Sequence, residues 1–134
     1  MNQSLFNLTQ LPERSSKPRN NGLTMVMDKG LSLREVENFL ENGEQYTDII
    51  KLGFGTSYFT PKIQEKIKLY QSVNIPVYLG GTLFEAYIAR NQFDDYLRLL
   101  EKLGLTHVEV SDGSLEMNHD TKCEYIQTLS KNYT

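Results

Sequence analysis

Four places in this chain put charged or hydroxyl side chains inside or just beyond short apolar runs. They are Asp28 and Lys29 ahead of Gly30, Lys51 within Ile49–Gly53, Glu85 after Gly80-Gly81-Thr82, and His107, Glu109, Ser111 and Asp112 around Val108 and Val110. A parallel strand covered by helices is ordinarily apolar on both faces, so each of these residues demands an explanation. Glycines beside them, in Asp28-Lys29-Gly30, Gly53-Phe54-Gly55-Thr56-Ser57, Gly80-Gly81-Thr82 and Ser111-Asp112-Gly113-Ser114, let backbone amides approach an anion closely. Asp28 and Asp112 read either as Asx turns or as metal or substrate ligands. Lys51 reads as a snorkelling cation, as one half of an ion pair with a carboxylate such as Glu109, or as a functional amine. Glu85 reads first as the closing carboxylate of a capping box begun by Thr82. His107 falls early in its run and reads as a core histidine. Gly53-Phe54-Gly55 only opens a dinucleotide-type motif, with Tyr58 where the third glycine belongs, which argues against nicotinamide binding.

The elements that hold these residues follow from periodicity. Short apolar runs alternate with longer helix-period segments: Leu23–Met27 then Leu33–Leu40, Ile49–Phe54 then Ile63–Val73, Val77–Leu79 then Leu83–Leu103, Val108–Val110 then Lys122–Lys131. Four such alternations predict four βα units and a parallel α/β sheet. Leu31-Ser32-Leu33-Arg34-Glu35-Val36 reads as a capping box with a hydrophobic staple, Thr60-Pro61 as an N-cap followed by a first-turn proline, and Gly104 as a C-terminal stop. Asn91-Gln92 breaks the long third segment in two.

Strand alternation places Thr24, Val26 and Asp28 together, Lys51 with Ile49 and Gly53, and His107, Glu109 and Ser111 on an inward face. The polar face is thus expected to be the inner one, near the strand C-termini, where α/β folds build their sites. The tyrosines are spread at packing positions, and Cys123 reads as a small buried hydrophobe.

Composition narrows the function classes. At 134 residues, 39% hydrophobic and 23% charged, the chain suits one globular domain preceded by a polar arm or tail over residues 1–21. A net charge of -3 supplies no footprint for nucleic acid or an anionic membrane. The single cysteine rules out an internal disulfide and a cysteine-based zinc site. With no apolar run near the ~20 residues of a membrane span and a polar N-terminus, the reading is cytoplasmic.

Lys17-Pro18-Arg19, Gly22–Gly30, Asp48–Ser57, Gly80–Glu85 and Val108–Ser114, in this order and at compatible spacing, resemble the phosphosulfolactate synthase family from Lys17 onward. The resemblance implies a TIM barrel, (β/α)8, that adds sulfite to phosphoenolpyruvate with Mg²⁺, giving phosphosulfolactate for coenzyme M and related sulfonates. Such a barrel takes about 250 residues, so residues 22–134 would form its N-terminal half.

By the same resemblance Lys51 and the carboxylates Asp28, Glu85, Glu109 and Asp112 belong to the active-site face. Lys51, with Glu109, is then the catalytic candidate, and Asp28, Glu85 and Asp112 are the oxygen ligands suited to Mg²⁺. Lys29, Gly55, Thr56, Gly81, Thr82 and Ser111 would bind substrate. Two other readings stand beside this one: a non-enzymatic relative, similar to plant heat-stress-associated proteins, and an inactive half-barrel. Exposed strand edges in a half-barrel predict a homo-oligomer or pairing with a C-terminal half.

Overall fold

The computed structural model describes residues 3–134, and side chains from Leu5 onward; residues 1–2 of the expected N-terminal arm lie outside the described residues. A short helix α1 (Gln3–Phe6) precedes the main unit. There follow β1 (Met25–Asp28), α2 (Leu33–Gly43), β2 (Ile49–Leu52), α3 (Ile63–Ser72), β3 (Val77–Leu79), α4 (Gly81–Ile88), α5 (Phe93–Leu103) and α6 (His119–Leu129), with single 3-10 turns at Glu44–Tyr46 and Thr56–Phe59. The three strands form one parallel sheet in the order β1-β2-β3.

Register decides which side chains share a face. Val26 is level with Ile50 and Asp28 with Leu52, while Ile50 and Leu52 are level with Val77 and Leu79. This face is buried under the helices against Val36, Leu40, Ile67, Tyr70, Phe84 and Leu100. Removing each large side chain from water stabilises the fold by roughly 1.5–3 kcal/mol, which makes this layer the main source of stability. The opposite face carries Met27, Lys51 and Tyr78 in register and is only partly covered.

Several local expectations hold. Ser32 and Glu35 form the capping box, with the Glu35 amide donating to Ser32 Oγ and the Ser32 amide to Glu35 Oε2. Gly104 ends α5 in a left-handed conformation, and the chain breaks between α4 and α5 with Asn91 also at positive φ.

Others are corrected. The fourth expected strand does not join the sheet: residues 105–112 are irregular, the Val108 amide donating to Thr134 O and the Thr134 amide to Thr106 O. Helix α3 begins at Ile63 after a left-handed Lys62, two residues beyond the expected cap, because Thr60 Oγ1 donates back to Thr56 O. Helix α4 starts at Gly81 without a side-chain cap, so Thr82 and Glu85 make no capping box. Cys123 is exposed, as are Tyr46 and Tyr58, whereas Tyr70 and Tyr96 are core residues.

The arm is tied down between residues 14 and 19. Arg19 Nη1 lies 2.7 Å from Asp48 Oδ1, and Arg14 Nη2 lies 2.6 Å from Thr24 Oγ1 and 3.2 Å from Tyr46 O. Asp48 Oδ2 accepts from the Thr24 amide at 2.8 Å. Burial raises the Asp48 pKa, but the Thr24 amide and the Arg19 and Arg14 guanidinium groups outweigh it and hold the carboxyl below its ordinary range.

Candidate functional site

The partly open face of the sheet carries a polar cluster. Lys51 Nζ lies 2.9 Å from Glu109 Oε1 and 2.6 Å from Glu109 Oε2, and 6.0 Å from the centre of the Tyr78 ring. Burial, followed by the Glu109 charge, pushes the Tyr78 phenol up, so it stays a neutral donor at ordinary pH. The irregular 105–112 segment reaches this cluster because Gly81 lets it. A Cβ at Gly81 would stand 2.3 Å from Ser111 Cβ and 2.8 Å from both Ser111 Oγ and Glu109 Oε1. Beside it Gly80 fits where a Cβ would meet Leu52 O at 2.7 Å and Phe54 N at 2.8 Å. The paired glycines therefore permit close approach of backbone and side chains, which explains their position better than anion binding alone.

Glu85 is buried next to this cluster. Ser111 Oγ donates to its Oε1 at 2.5 Å and the Ser114 amide to its Oε2 at 2.6 Å. Both carboxylate oxygens thus clamp the 111–114 loop onto the start of α4. Asp112, beyond the clamp, is exposed and accepts from Lys122 Nζ at 2.7 Å; that bond comes first among the causes holding its pKa low.

Asp28 lies elsewhere. Its register partner is Leu52, on the helix-covered face, not Lys51. Oδ1 accepts from the Gly30 and Leu31 amides at 2.8 Å each and from Lys66 Nζ at 3.3 Å; Oδ2 accepts from Lys66 Nζ at 3.1 Å and from the Tyr70 hydroxyl at 3.0 Å. The Asx-turn alternative is the one realised. Sequence reasoning missed Lys66 and Tyr70, although the signal was there: Ile63, Lys66, Ile67 and Tyr70 form an i, i+3, i+4, i+7 stripe with a lysine on its apolar face.

These positions decide the fit to Mg²⁺. Asp28 is on the other side of the sheet with four donor groups on its two oxygens, Glu85 spends both oxygens on the 111–114 loop, and Asp112 faces solvent with a lysine. Among the described residues no three His, Cys, Asp or Glu side chains are grouped to hold a metal ion. Asp28, Glu85 and Asp112 as arranged here do not fit Mg²⁺ as a set.

The expected substrate-binding residues divide into separate places. Gly81 and Ser111 belong to the Lys51 cluster. Gly55, Thr56 and Thr82 line a cleft of about 1030 Å³ with Tyr58, Phe59 and Arg90, which neither Lys51 nor Glu109 lines. Lys29 stands over the Phe54 ring, its ammonium 5.5 Å from the centre, and lines a second cleft of about 640 Å³ together with Thr56 and Lys66. No helix among the described residues is long and apolar enough to cross a membrane.

Residues 12–134 match the family model described as (2R)-phospho-3-sulfolactate synthase. The chain is similar to the phosphosulfolactate synthase of Methanothermobacter thermautotrophicus, 36% identical over 87% of this chain and 46% of that protein. It is also similar to the enzymes of the same name from Bacillus subtilis, at 32% over 92% and 49%, and Methanocaldococcus jannaschii, at 41% over 83% and 45%. The chain spans about half the length of these curated relatives. Its match to the family model and to all three enzymes over nearly its whole length places this chain in the (2R)-phospho-3-sulfolactate synthase family.

Proposed function

We propose that this chain provides the N-terminal half of a (β/α)8 barrel that adds sulfite to phosphoenolpyruvate, a carbon–sulfur lyase-type reaction. The observation that carries the reading is the Lys51–Glu109 pair on the open face of the sheet, flanked by Gly81, Ser111 and Glu85. Sulfite attacks the methylene carbon with its sulfur lone pair, forming the C–S bond. The π electrons of the alkene move toward the carboxylate as an enediolate, which then takes a proton at the adjacent carbon to give phosphosulfolactate. Lys51 is the donor of that proton, held by Glu109, and the ammonium also faces the charge that builds on the carboxylate. Lys29, at the strand edge, meets the phosphate or carboxylate of the substrate.

Completion of the sheet past β1 and β3, by the remaining barrel strands or by a second copy, belongs to the same proposal. The test incubates the 134-residue chain with sulfite and phosphoenolpyruvate and follows product phosphorus by NMR, with Lys51→Met alongside. Product from the parent chain, falling by roughly 10²–10⁴-fold in Lys51→Met, is expected. Equal product from both chains, or none together with unmoved Lys51 and Lys29 amide signals on adding phosphoenolpyruvate, would refute the reading.

A further inference from the structure

The Asp28 carboxylate is the most heavily bonded side chain on the helix-covered side of the sheet. Asp28, Lys66 and Tyr70 are 1%, 2% and 0% exposed, and a carboxylate with about four lone-pair sites is saturated by the four donor groups it meets, Lys66 Nζ touching both oxygens. Two of those donors are the amides of Gly30 and Leu31, so the carboxylate shapes the turn that follows β1. Gly30 takes φ 119 in that turn, a conformation that L side chains rarely adopt. The turn ends at the Ser32 cap of α2 and, in between, carries Lys29 out over Phe54. The Asp28 backbone carbonyl meanwhile accepts from the Gly53 amide at 2.8 Å, tying the same point to the β2 loop. Burial, then the Asp28 charge, raises the Tyr70 phenol far above its ordinary value, so it remains a proton donor to the carboxylate.

We propose that Lys66 and Tyr70 are positioning residues: acting through the Asp28 carboxylate, they hold the Gly30–Leu31 turn that presents Lys29 at the strand edge. Lys66 neutralises a buried charge that would otherwise withdraw from the two amides, and Tyr70 fixes the carboxylate plane from the opposite oxygen. The inference rests on the proposed function only in what Lys29 is presented to.

The test is amide hydrogen exchange on the 134-residue chain without substrate, reading Gly30 and Leu31 against Ile50 and Leu52 of β2. Tyr70→Phe is expected to speed exchange at Gly30 and Leu31 by about tenfold relative to the β2 amides, the loss of one hydrogen bond to a charged group. Ile67→Val, a buried change on the same helix that leaves the Asp28 contacts alone, should move all four amides together. Lys66→Met is expected to exceed the Tyr70→Phe effect or to prevent folding. The double variant Asp28→Asn with Lys66→Met keeps an acceptor oxygen for both amides while removing both charges, and should restore protection. If Tyr70→Phe leaves the ratio where Ile67→Val leaves it, or if the double variant is as unprotected as Lys66→Met, the positioning role is overturned. Because no substrate is present, that failure leaves the synthase reading standing; unmoved Lys29 signals on adding phosphoenolpyruvate to a chain with an intact turn would count against the synthase reading alone.

Discussion

Lys51 and Glu109, 58 residues apart, close an ion pair of 2.6 Å whose side chains are 17% and 29% exposed. The expected ion pair with Glu109 is thus the arrangement that Lys51 adopts. An exposed pair is worth roughly 0–1 kcal/mol, whereas breaking a fully buried one costs about 3–5 kcal/mol. At this partial burial Lys51→Met should lower stability by about 1–2 kcal/mol, and adding Glu109→Gln should recover part of the loss. Urea unfolding of the two single variants and the double variant measures the coupling; strictly additive losses would show that the contact is not energetically coupled.

The two adjacent glycines should differ in their response to a methyl group. At Gly80 the added Cβ meets backbone atoms of Leu52 and Phe54 that hold the β2–β3 edge, so Gly80→Ala should cost about 3 kcal/mol or abolish folding. At Gly81 it meets Ser111 Cβ, which moves only with its own backbone, together with Ser111 Oγ and Glu109 Oε1, so the irregular 109–114 segment has to shift as a whole to make room. Gly81→Ala should fold, at a cost of about 1–2 kcal/mol, with chemical-shift changes concentrated at residues 109–114. A Gly80→Ala chain as stable as Gly81→Ala would contradict the backbone clash.

Asp48 should govern part of the acid limb of stability. Its folded pKa lies below the unfolded one, so its contribution is complete above about pH 4, the unfolded value, and is lost as pH falls through the lowered folded value. Asp48→Asn should flatten the fall in urea midpoint as pH drops below about 4. Arg19→Gln should do the same more weakly, since the Thr24 amide remains as a partner. An acid limb as steep as that of the parent chain in Asp48→Asn would mean that other carboxylates dominate it.

Glu85 should act as a clamp for the 111–114 loop. Glu85→Ala leaves the Ser111 hydroxyl and the Ser114 amide without their acceptor and should cost about 1–3 kcal/mol, with the Ser114 amide exchanging faster than those of α4. Unchanged Ser114 protection would show that the loop is held by other contacts.

Tyr96 offers a change in the opposite direction. Its ring packs against Phe84 and Tyr87, and its buried hydroxyl has no hydrogen-bond partner among the described residues. Tyr96→Phe should leave stability unchanged or raise it by up to about 1 kcal/mol in thermal unfolding. A clear loss would reveal a partner for the hydroxyl.

Much of the fold is legible in local patterns. Ser32 and Glu35 sit three residues apart and cap α2 from within one turn; Gly104 stops α5 because it reaches a left-handed conformation without strain. Both signals involve neighbours along the chain, and both hold. The reading of Thr82 and Glu85 fails although the spacing is the same. Glu85 finds Ser111 and Ser114, 26 and 29 residues away, and no local rule ranks that bond against a cap.

Alternation within β1 and within β2 separately assigned Asp28 to one set of side chains and Lys51 to another, and this local result stands. What a single strand cannot reveal is which set faces the helices, because that follows from register against the next strand and from what packs above it. Only the pairing of Asp28 with Leu52, and the arrival of Lys66 and Tyr70 from α3, made Asp28 a structural carboxylate. The sequence by itself determined the first three strand–helix alternations, the glycine-bearing edge, the Ser32 and Gly104 helix ends and the family blocks, since each rests on residues close along the chain. The tertiary structure alone decided that Lys51 meets Glu109 while Asp28, Glu85 and Asp112 stay apart, because those distances depend on packing between segments tens of residues apart.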